Sequence, residues 1–210
     1  MTVATETQTK FEVDAADFEK LKGSARLTLC VDQLNVYYDR AGRLAGQSVT
    51  FRVRFSRSEP PVLTLKVPTA ISREHREMKE YQYRLRAKPR MRSLAQYREI
   101  DVDSELPPDA SAALLALGVN RLERVGWIRN RRYHLEVTGI GMVDLDKLEL
   151  PDGATVYEAE IESGDGATRE RLAAWIRSHA PEARPSLISK YQRFRGALLR
   201  RPAHPNVACE

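Results

Sequence analysis

Five consecutive residues, Phe51-Arg-Val-Arg-Phe55, constrain this 210-residue chain more than any other stretch. A β-strand sends successive side chains to opposite faces, so Arg52 and Arg54 share one face while Phe51, Val53 and Phe55 share the other. The turn-forming Ser58-Glu-Pro-Pro61 leads into Leu63-Thr-Leu-Lys-Val-Pro68, where Thr64 and Lys66 oppose Leu63, Leu65 and Val67. Paired, the two strands set Arg52, Arg54 and Lys66 on one surface with an apolar layer behind it. Like charges on neighbouring strands repel, so that surface calls for an anion. Arginine's planar fork grips phosphate oxygens in pairs and lysine adds a compact charge, which makes an oligophosphate a fitting one. A merely solvated strand face is the plain alternative.

The same alternation recurs along the chain. Strands are expected at Thr7–Val13, Arg26–Val31, Gln33–Tyr38, Val49–Arg57 and Pro61–Val67, and a charged one at Ser72–Leu85. Turns are expected at Ala41-Gly42 and Lys88-Pro89. Pro107-Pro108 opens a helix over Asp109–Gly118; strands follow at Leu122–Ile128, Arg131–Val137 and Gly141–Leu150. Beyond the Pro151-Asp-Gly turn, Ala154–Ser163 alternates acids with apolar residues, and helices over Ala167–Ser178 and Ser186–Leu199 close the chain before a tail at 201–210.

In the Ala154–Ser163 strand Glu158, Glu160 and Glu162 share one face, and Asp144 and Asp146 share a face of the strand before it. Carboxylates at that spacing repel unless cations or a metal lie between them. Hard carboxylate oxygens suit Mg2+ or Mn2+, ions that readily share phosphate oxygens, whereas salt bridges to the arginine strands are the simpler alternative. Glu6, Gln8 and Lys10 share a face of the opening strand; Arg129 and Arg131 add to the cationic surface, and Lys190 reaches in from the last helix.

Several classes are disfavoured. The net charge of +5 admits a polyanionic partner, but 29 acidic residues against 34 basic ones make no basic coat, so nucleic acid is not the expected partner. No apolar run approaches the ~18 residues of a membrane span, and the N-terminal residues carry no secretory pattern, so a cytoplasmic protein is expected. Cys30 and Cys209 lack metal-type spacing, and His75, His134, His179 and His204 lack ligand spacing. No nucleophile triad or glycine-rich phosphate loop is present.

Taken in order, these pieces resemble the CYTH superfamily, the triphosphate tunnel metalloenzymes, which include class IV adenylyl cyclases, thiamine triphosphatases and inorganic tripolyphosphatases. The positions that carry the resemblance are Glu6, Gln8 and Lys10; Tyr37-Tyr38-Asp39; Arg52 and Arg54; Lys66; Arg129 and Arg131; Asp146; Glu158 and Glu160; and Lys190. The resemblance implies an α+β fold, an eight-stranded antiparallel β-tunnel with flanking helices, formed by residues 1–200 as one domain. It implies a triphosphate bound by Lys10, Arg52, Arg54, Lys66, Arg129, Arg131 and Lys190. Glu6, Asp146, Glu158 and Glu160 would hold Mg2+ or Mn2+, with Lys10, Glu158 and Glu160 in catalytic roles. The implied activity is hydrolysis of inorganic tripolyphosphate or a related triphosphate. Conversion of ATP to cyclic AMP and polyphosphate or nucleotide binding without turnover are the alternatives, and a homodimer stays open. Gln8 departs from the pattern: it stands where relatives carry a second glutamate, and offers a carbonyl oxygen without the charge.

Overall fold

Alternation does fix the architecture. The computed structural model describes residues 2–57, 60–71, 75–84, 98–162 and 165–200. Along the chain come β1 (Thr2–Val13), α1 (Ala15–Gly23), β2 (Arg26–Asp39), α2 (Arg43–Gly46), β3 (Thr50–Ser56), β4 (Val62–Ile71), β5 (His75–Arg84), β6 (Glu99–Asp101) and α3 (Val102–Glu105). They are followed by α4 (Pro108–Ala116), β7 (Arg121–Val137), β8 (Gly141–Glu149), β9 (Thr155–Glu162), α5 (Gly166–His179), β10 (Arg184–Pro185) and α6 (Lys190–Arg200). The expected strands at 26–31 and 33–38 are one strand, β2, and those at 122–128 and 131–137 are one strand, β7. The expected turn at Lys88-Pro89 and the tail at 201–210 lie outside the described residues.

Antiparallel ladders run in the order β1, β5, β4, β3, β2, β7, β8, β9, and β9 pairs back onto β1, so eight strands close into a ring. Closure removes the sheet edges that would otherwise invite pairing with another chain. Short β6 and β10 pair outside the ring, with β7 and β1.

The apolar face of each strand turns outward and the helices cover it. Phe51, Val53, Leu63 and Leu65 pack with Leu44 of α2, Val102 of α3 and Leu114 of α4. On the far side Phe11, Leu135, Leu145 and Ile161 pack with Phe18 and Leu21 of α1 and Leu172 and Ile176 of α5. Each such side chain, fully buried, contributes roughly 1.5–3 kcal/mol. The polar face therefore has nowhere to point but into the ring.

One end of the ring is filled by α6. Tyr37, Ile128 and Leu148 pack with Tyr191, Phe194 and Ala197, with Tyr37 and Phe194 stacked at 5.2 Å between ring centroids. Gly126 permits this approach: its φ is +153°, and a Cβ there would lie 2.8 Å from Phe194 Cζ. It sits beside the register shift at Tyr37/Tyr38, where the β2–β7 ladder bulges. Asp39 ties the helix down, accepting hydrogen bonds from Leu44 N (2.8 Å) and Tyr191 Oη (2.8 Å). The last helix begins at Lys190, not at Ser186 as expected. Ser189 and Gln192 form a reciprocal cap, Ser189 Oγ accepting from Gln192 N (3.1 Å) and Gln192 Oε1 from Ser189 N (2.8 Å). No described helix is long and apolar enough to cross a membrane.

Candidate active site

Register places one set of side chains inside the ring. On β3, Arg52 and Arg54 are opposite Tyr37 and Asn35 of β2; on β4, Lys66 is opposite Thr50 and Glu80. On β1, Lys10 is opposite Glu160 of β9, and Gln8 opposite Glu162. On β8, Asp146 is opposite Glu158 of β9 on one side and Arg132 of β7 on the other. Lys190, at the first turn of α6, enters from the plugged end. Most of these residues line one cavity, with Arg52, Arg54, Lys66, Lys10, Arg132 and Lys190 supplying cations and Glu160 and Glu162 acids.

Glu160 of this lining belongs to a converging acidic group. Asp146, Glu158 and Glu160, which are 0 %, 0 % and 1 % exposed, each bring a carboxylate oxygen within 4.8 Å of the other two. Cations interleave with them. Lys10 Nζ lies 3.3 Å from both Glu158 and Glu160 and donates to Ile188 O at 3.1 Å. Lys190 Nζ contacts Glu160, lies 2.9 Å from Asp146 and is 3.4 Å from Glu158. Arg132 joins Asp146 through Nε (2.8 Å) and NH2 (2.6 Å), Glu160 at 2.5 Å and Asp144 at 2.8 Å. Arg193 reaches Glu158 from α6 at 2.7 Å.

These pairs decide the protonation states. Burial would raise the Glu160 carboxyl, but Lys190, Lys10 and Arg132 outweigh it and hold it well below the usual carboxylate range. Asp146 follows the same balance against Arg132 and Lys190. Burial would lower Lys190, yet Asp146, Glu160 and Glu158 keep it above its ordinary value. Arg54 moves the other way: burial, then Arg52 and Arg132, pull its guanidinium below the ordinary value. It stays charged at neutral pH nonetheless, in a wall of like charge that a polyanion relieves.

Most residues expected from the sequence meet here: Lys10, Arg52, Arg54, Lys66, Asp146, Glu158, Glu160 and Lys190 all face the interior. The side chain of Glu6 lies outside the described residues, although its backbone is in β1. Arg129 and Arg131 require a correction. Both sit on the outer face of β7. Arg131, its side chain 53 % exposed, pairs with Asp32 at 2.6 Å, and Arg129 lies over the Trp127 ring at 5.7 Å. Strand period is the reason, since a one-residue change of phase reverses every side chain. The inward residues are Asn130, whose Nδ2 donates to Asp146 at 2.7 Å, and Arg132. Glu77 falls in the phase opposite to Met78 and Glu80, away from the tunnel. Asn35, Glu80 and Arg193 are additions that the sequence pattern does not announce; Glu80 pairs with Lys66 at 3.0 Å.

The acidic group fits a hard divalent cation on its own chemistry. All three donors are carboxylates and they converge, and Glu158 Oε2 accepts no hydrogen bond, its charge met only by the Lys10 and Lys190 ammoniums at 3.3 and 3.4 Å. Other buried wall atoms share that condition, among them Asn35 Nδ2, Thr64 Oγ1 and Asn130 Oδ1. Such orphaned groups are rare and mark sites where something polar binds. The cavity between them is about 60 Å3, far below the ~300–1,000 Å3 of typical small-molecule sites. The tunnel is narrow here because its own ion pairs fill it.

Comparison with known proteins agrees with this geometry. No curated protein matches the chain by sequence. Its structure is similar to that of HpAC1 from Hippeastrum, an adenylyl cyclase candidate with a dominant triphosphatase activity, at TM-score 0.76 and 21 % identity over 91 % of this chain and 95 % of that one. It is similar to a candidate adenylate cyclase of Bacillus halodurans at TM-score 0.70 and 19 % identity, over 92 % and 99 % of the two chains. The mimivirus capping-enzyme triphosphatase superposes at TM-score 0.50 and 11 % identity, over 83 % and 89 %. At those identities the likeness shows a shared fold. The CYTH domain profile, however, matches residues 4–195, nearly the whole sequence, and the chain belongs to the CYTH domain family.

Proposed function

We propose that this protein hydrolyses a phosphoanhydride bond of inorganic tripolyphosphate or a related organic triphosphate, with Mg2+ or Mn2+ as cofactor. One observation carries the reading: a cationic wall (Arg52, Arg54, Lys66, Arg132) lines a cavity plugged at one end, and Glu160 in that lining belongs to a converging carboxylate group with Asp146 and Glu158. Polyphosphate and a divalent cation are the pair of ligands that satisfies both. The likeness to HpAC1 supports hydrolysis over cyclisation.

Each chain residue then has a task. Arg52 and Arg54 present forks to phosphate oxygens from adjacent inward positions, and Lys66 adds a point charge from the neighbouring strand. Asp146, Glu158 and Glu160 would hold the metal, with Glu6 and the Gln8 carbonyl as further ligands from β1. When bound, the metal supplies charge neutralisation on phosphate oxygens and a more acidic water. Lys10 and Lys190 exchange carboxylate partners for phosphate oxygens, stabilising the charge that grows on the leaving phosphate as the bridging P–O bond breaks and water bonds to the attacked phosphorus. The α6 plug, through Tyr191 and Phe194, keeps bulk water from the carboxylate group.

The deciding experiment measures phosphate release from tripolyphosphate, ATP and thiamine triphosphate in Mg2+, Mn2+ or EDTA. Metal-dependent release that disappears in Glu158→Ala is expected. Cyclic AMP and pyrophosphate from ATP would replace this reading with a cyclase. Tight tripolyphosphate binding without turnover in saturating Mn2+ would make the tunnel a binding site in which Gln8 marks lost catalysis.

A further inference from the structure

We propose a second ligand site on the outer wall of the ring, across β3, β2, β7 and β8, for an organic phosphate monoester of about mononucleotide size. The site is separate from the tunnel and holds whether or not the tunnel hydrolyses.

Strand phase turns Arg129 and Arg131 away from the tunnel, and register gathers them with other outward side chains in two rows. Phe55, Leu34, Arg129 and Glu149 are successive partners across the four strands. One step along, Asp32, Arg131 and Lys147 are successive partners, and Arg57, just past the end of β3, lies on the same side. Among the described residues no helix side chain lines this patch. Helices α2, α3 and α4 pack over β3 and β4, and α1 and α5 pack further along β7, β8 and β9. The uncovered rows bound a cavity of about 470 Å3. That volume lies within the ~300–1,000 Å3 of small-molecule sites, and a concavity of this size holds a small molecule rather than a protein surface.

Charge identifies the occupant. Arg131 and Lys147 are directly opposite each other, and like charges so placed repel. Asp32 answers only part of this, accepting two hydrogen bonds from Arg131 at 2.6 and 3.3 Å. Arg129 and Lys147 lie over the Trp127 and Tyr157 rings, at 5.7 and 6.0 Å, with no carboxylate partner among the described residues. Four cations less two carboxylates leave +2 on the lining. A phosphate monoester, carrying about −1.5 to −2 at neutral pH, offsets that charge. Arg129 and Arg131, about 6.6 Å apart along β7, form a triangle with Lys147 that grips its oxygens from three sides. The rest of the molecule has an apolar seat. Half-buried Leu34 and Phe55 stand one and two strand spacings from Arg129, about 5 and 10 Å, and a flat ring packs on the Phe55 face. Inorganic phosphate fills the triangle and leaves this seat bare, whereas tripolyphosphate brings more charge than the lining offsets.

The test is calorimetric titration with AMP as the probe, in wild type, in the outer-wall variant Arg129→Gln/Lys147→Gln and in the tunnel variant Arg52→Gln/Arg54→Gln. AMP should bind wild type and the tunnel variant with equal Kd, and the outer-wall variant about tenfold or more weakly, the scale of a lost charge-assisted hydrogen bond. Adenosine and inorganic phosphate, each making half of the contacts, should both bind wild type more weakly than AMP. Absence of AMP binding, or affinity lost in the tunnel variant and kept in the outer-wall one, overturns the site. So does a short poly-glutamate peptide that binds as tightly as AMP, because the patch is then a general anion surface. Tryptophan emission gives a second reading that does not depend on the double variants folding. Phosphate should draw Arg129 off the Trp127 ring, so AMP changes the emission of wild type and leaves that of Trp127→Phe unchanged; the same response in both proteins would overturn the proposal.

Discussion

Arg132→Gln against Arg131→Gln tests the register that defines the tunnel, because adjacent arginines have opposite environments. Arg132 is 6 % exposed and serves three buried or nearly buried carboxylates, Asp146 at 2.6 Å, Glu160 at 2.5 Å and Asp144 at 2.8 Å. Removing one member of a buried ion-pair network leaves the others uncompensated and costs about 3–5 kcal/mol. For a chain of this size each kcal/mol moves Tm by roughly 2–4 °C, so Arg132→Gln should melt some 6–20 °C lower in EDTA. Arg131 makes a solvent-exposed pair with Asp32 at 2.6 Å, and its replacement should stay within about 0.5 kcal/mol of wild type. Divalent cation refines the result. If Asp146 and Glu160 hold a metal, Mn2+ restores part of the charge lost with Arg132, and a concentration one hundred times Kd contributes about 2.7 kcal/mol. The assay is urea unfolding of the three proteins in EDTA and in Mn2+. Equal losses in both variants, or a larger loss in Arg131→Gln, would refute the phase assigned to β7.

Further predictions follow from the same packing. Arg54→Gln should weaken tripolyphosphate binding by about 1.5–3 kcal/mol, the scale of a charge-assisted hydrogen bond, read calorimetrically; unaltered affinity would remove Arg54 from the phosphate wall. Gly126→Ala should destabilise by about 1–3 kcal/mol, because its Cβ would meet Phe194 Cζ at 2.8 Å on a backbone at φ +153°. Proteolysis should then release α6 before the ring unfolds, and wild-type resistance would contradict the close approach. Alkali should loosen the fold through three tyrosines. Burial raises Tyr37 and pushes Tyr38 up to about 12, and burial with Asp39 raises Tyr191, each from 10.0. Their neutral forms stabilise the fold fully below pH 10, the unfolded value, and that stability is lost as pH climbs toward the folded values, by about 1.4 kcal/mol per pH unit for each tyrosine. Tyrosinate absorbance should show a late, cooperative phase coincident with loss of circular dichroism, and complete titration near pH 10 with the fold intact would rule this out.

How far the tunnel can be read from sequence turns on where polarity contrasts. At Phe51–Phe55 and Leu63–Val67 apolar and basic residues alternate cleanly, so the residues alone reveal the phase, and the outer apolar layer under α2, α3 and α4 follows from it. At Arg129-Asn-Arg-Arg132 four polar residues run together, and alternation selects no phase. The flanks give conflicting signals. Tyr133, Leu135 and Val137 are in the outward phase, whereas Ile128 is apolar and buried yet faces inward, because α6 covers it. Phase at Arg132 is set instead by partners that its own strand does not encode: Asp146 on β8, 14 residues on, and Glu160 on β9, 28 residues on. Glycine is the remaining clue. Gly126 breaks the β7 pattern at the bulge, so counting from Leu122 and counting back from Val137 give different faces. The plug is legible only in part for a similar reason. The amphipathic pattern announces a final helix and Lys190 within it, but its start is fixed by the local cap between Ser189 and Gln192, and its anchor at Asp39 depends on a contact across 152 residues of chain. Local contrast thus specifies which strands have a charged face, and long-range pairing decides which arginines reach the tunnel interior. A family position carried over by spacing alone is therefore weakest on long polar strands, and Arg132 in place of Arg131 is the form that weakness takes here.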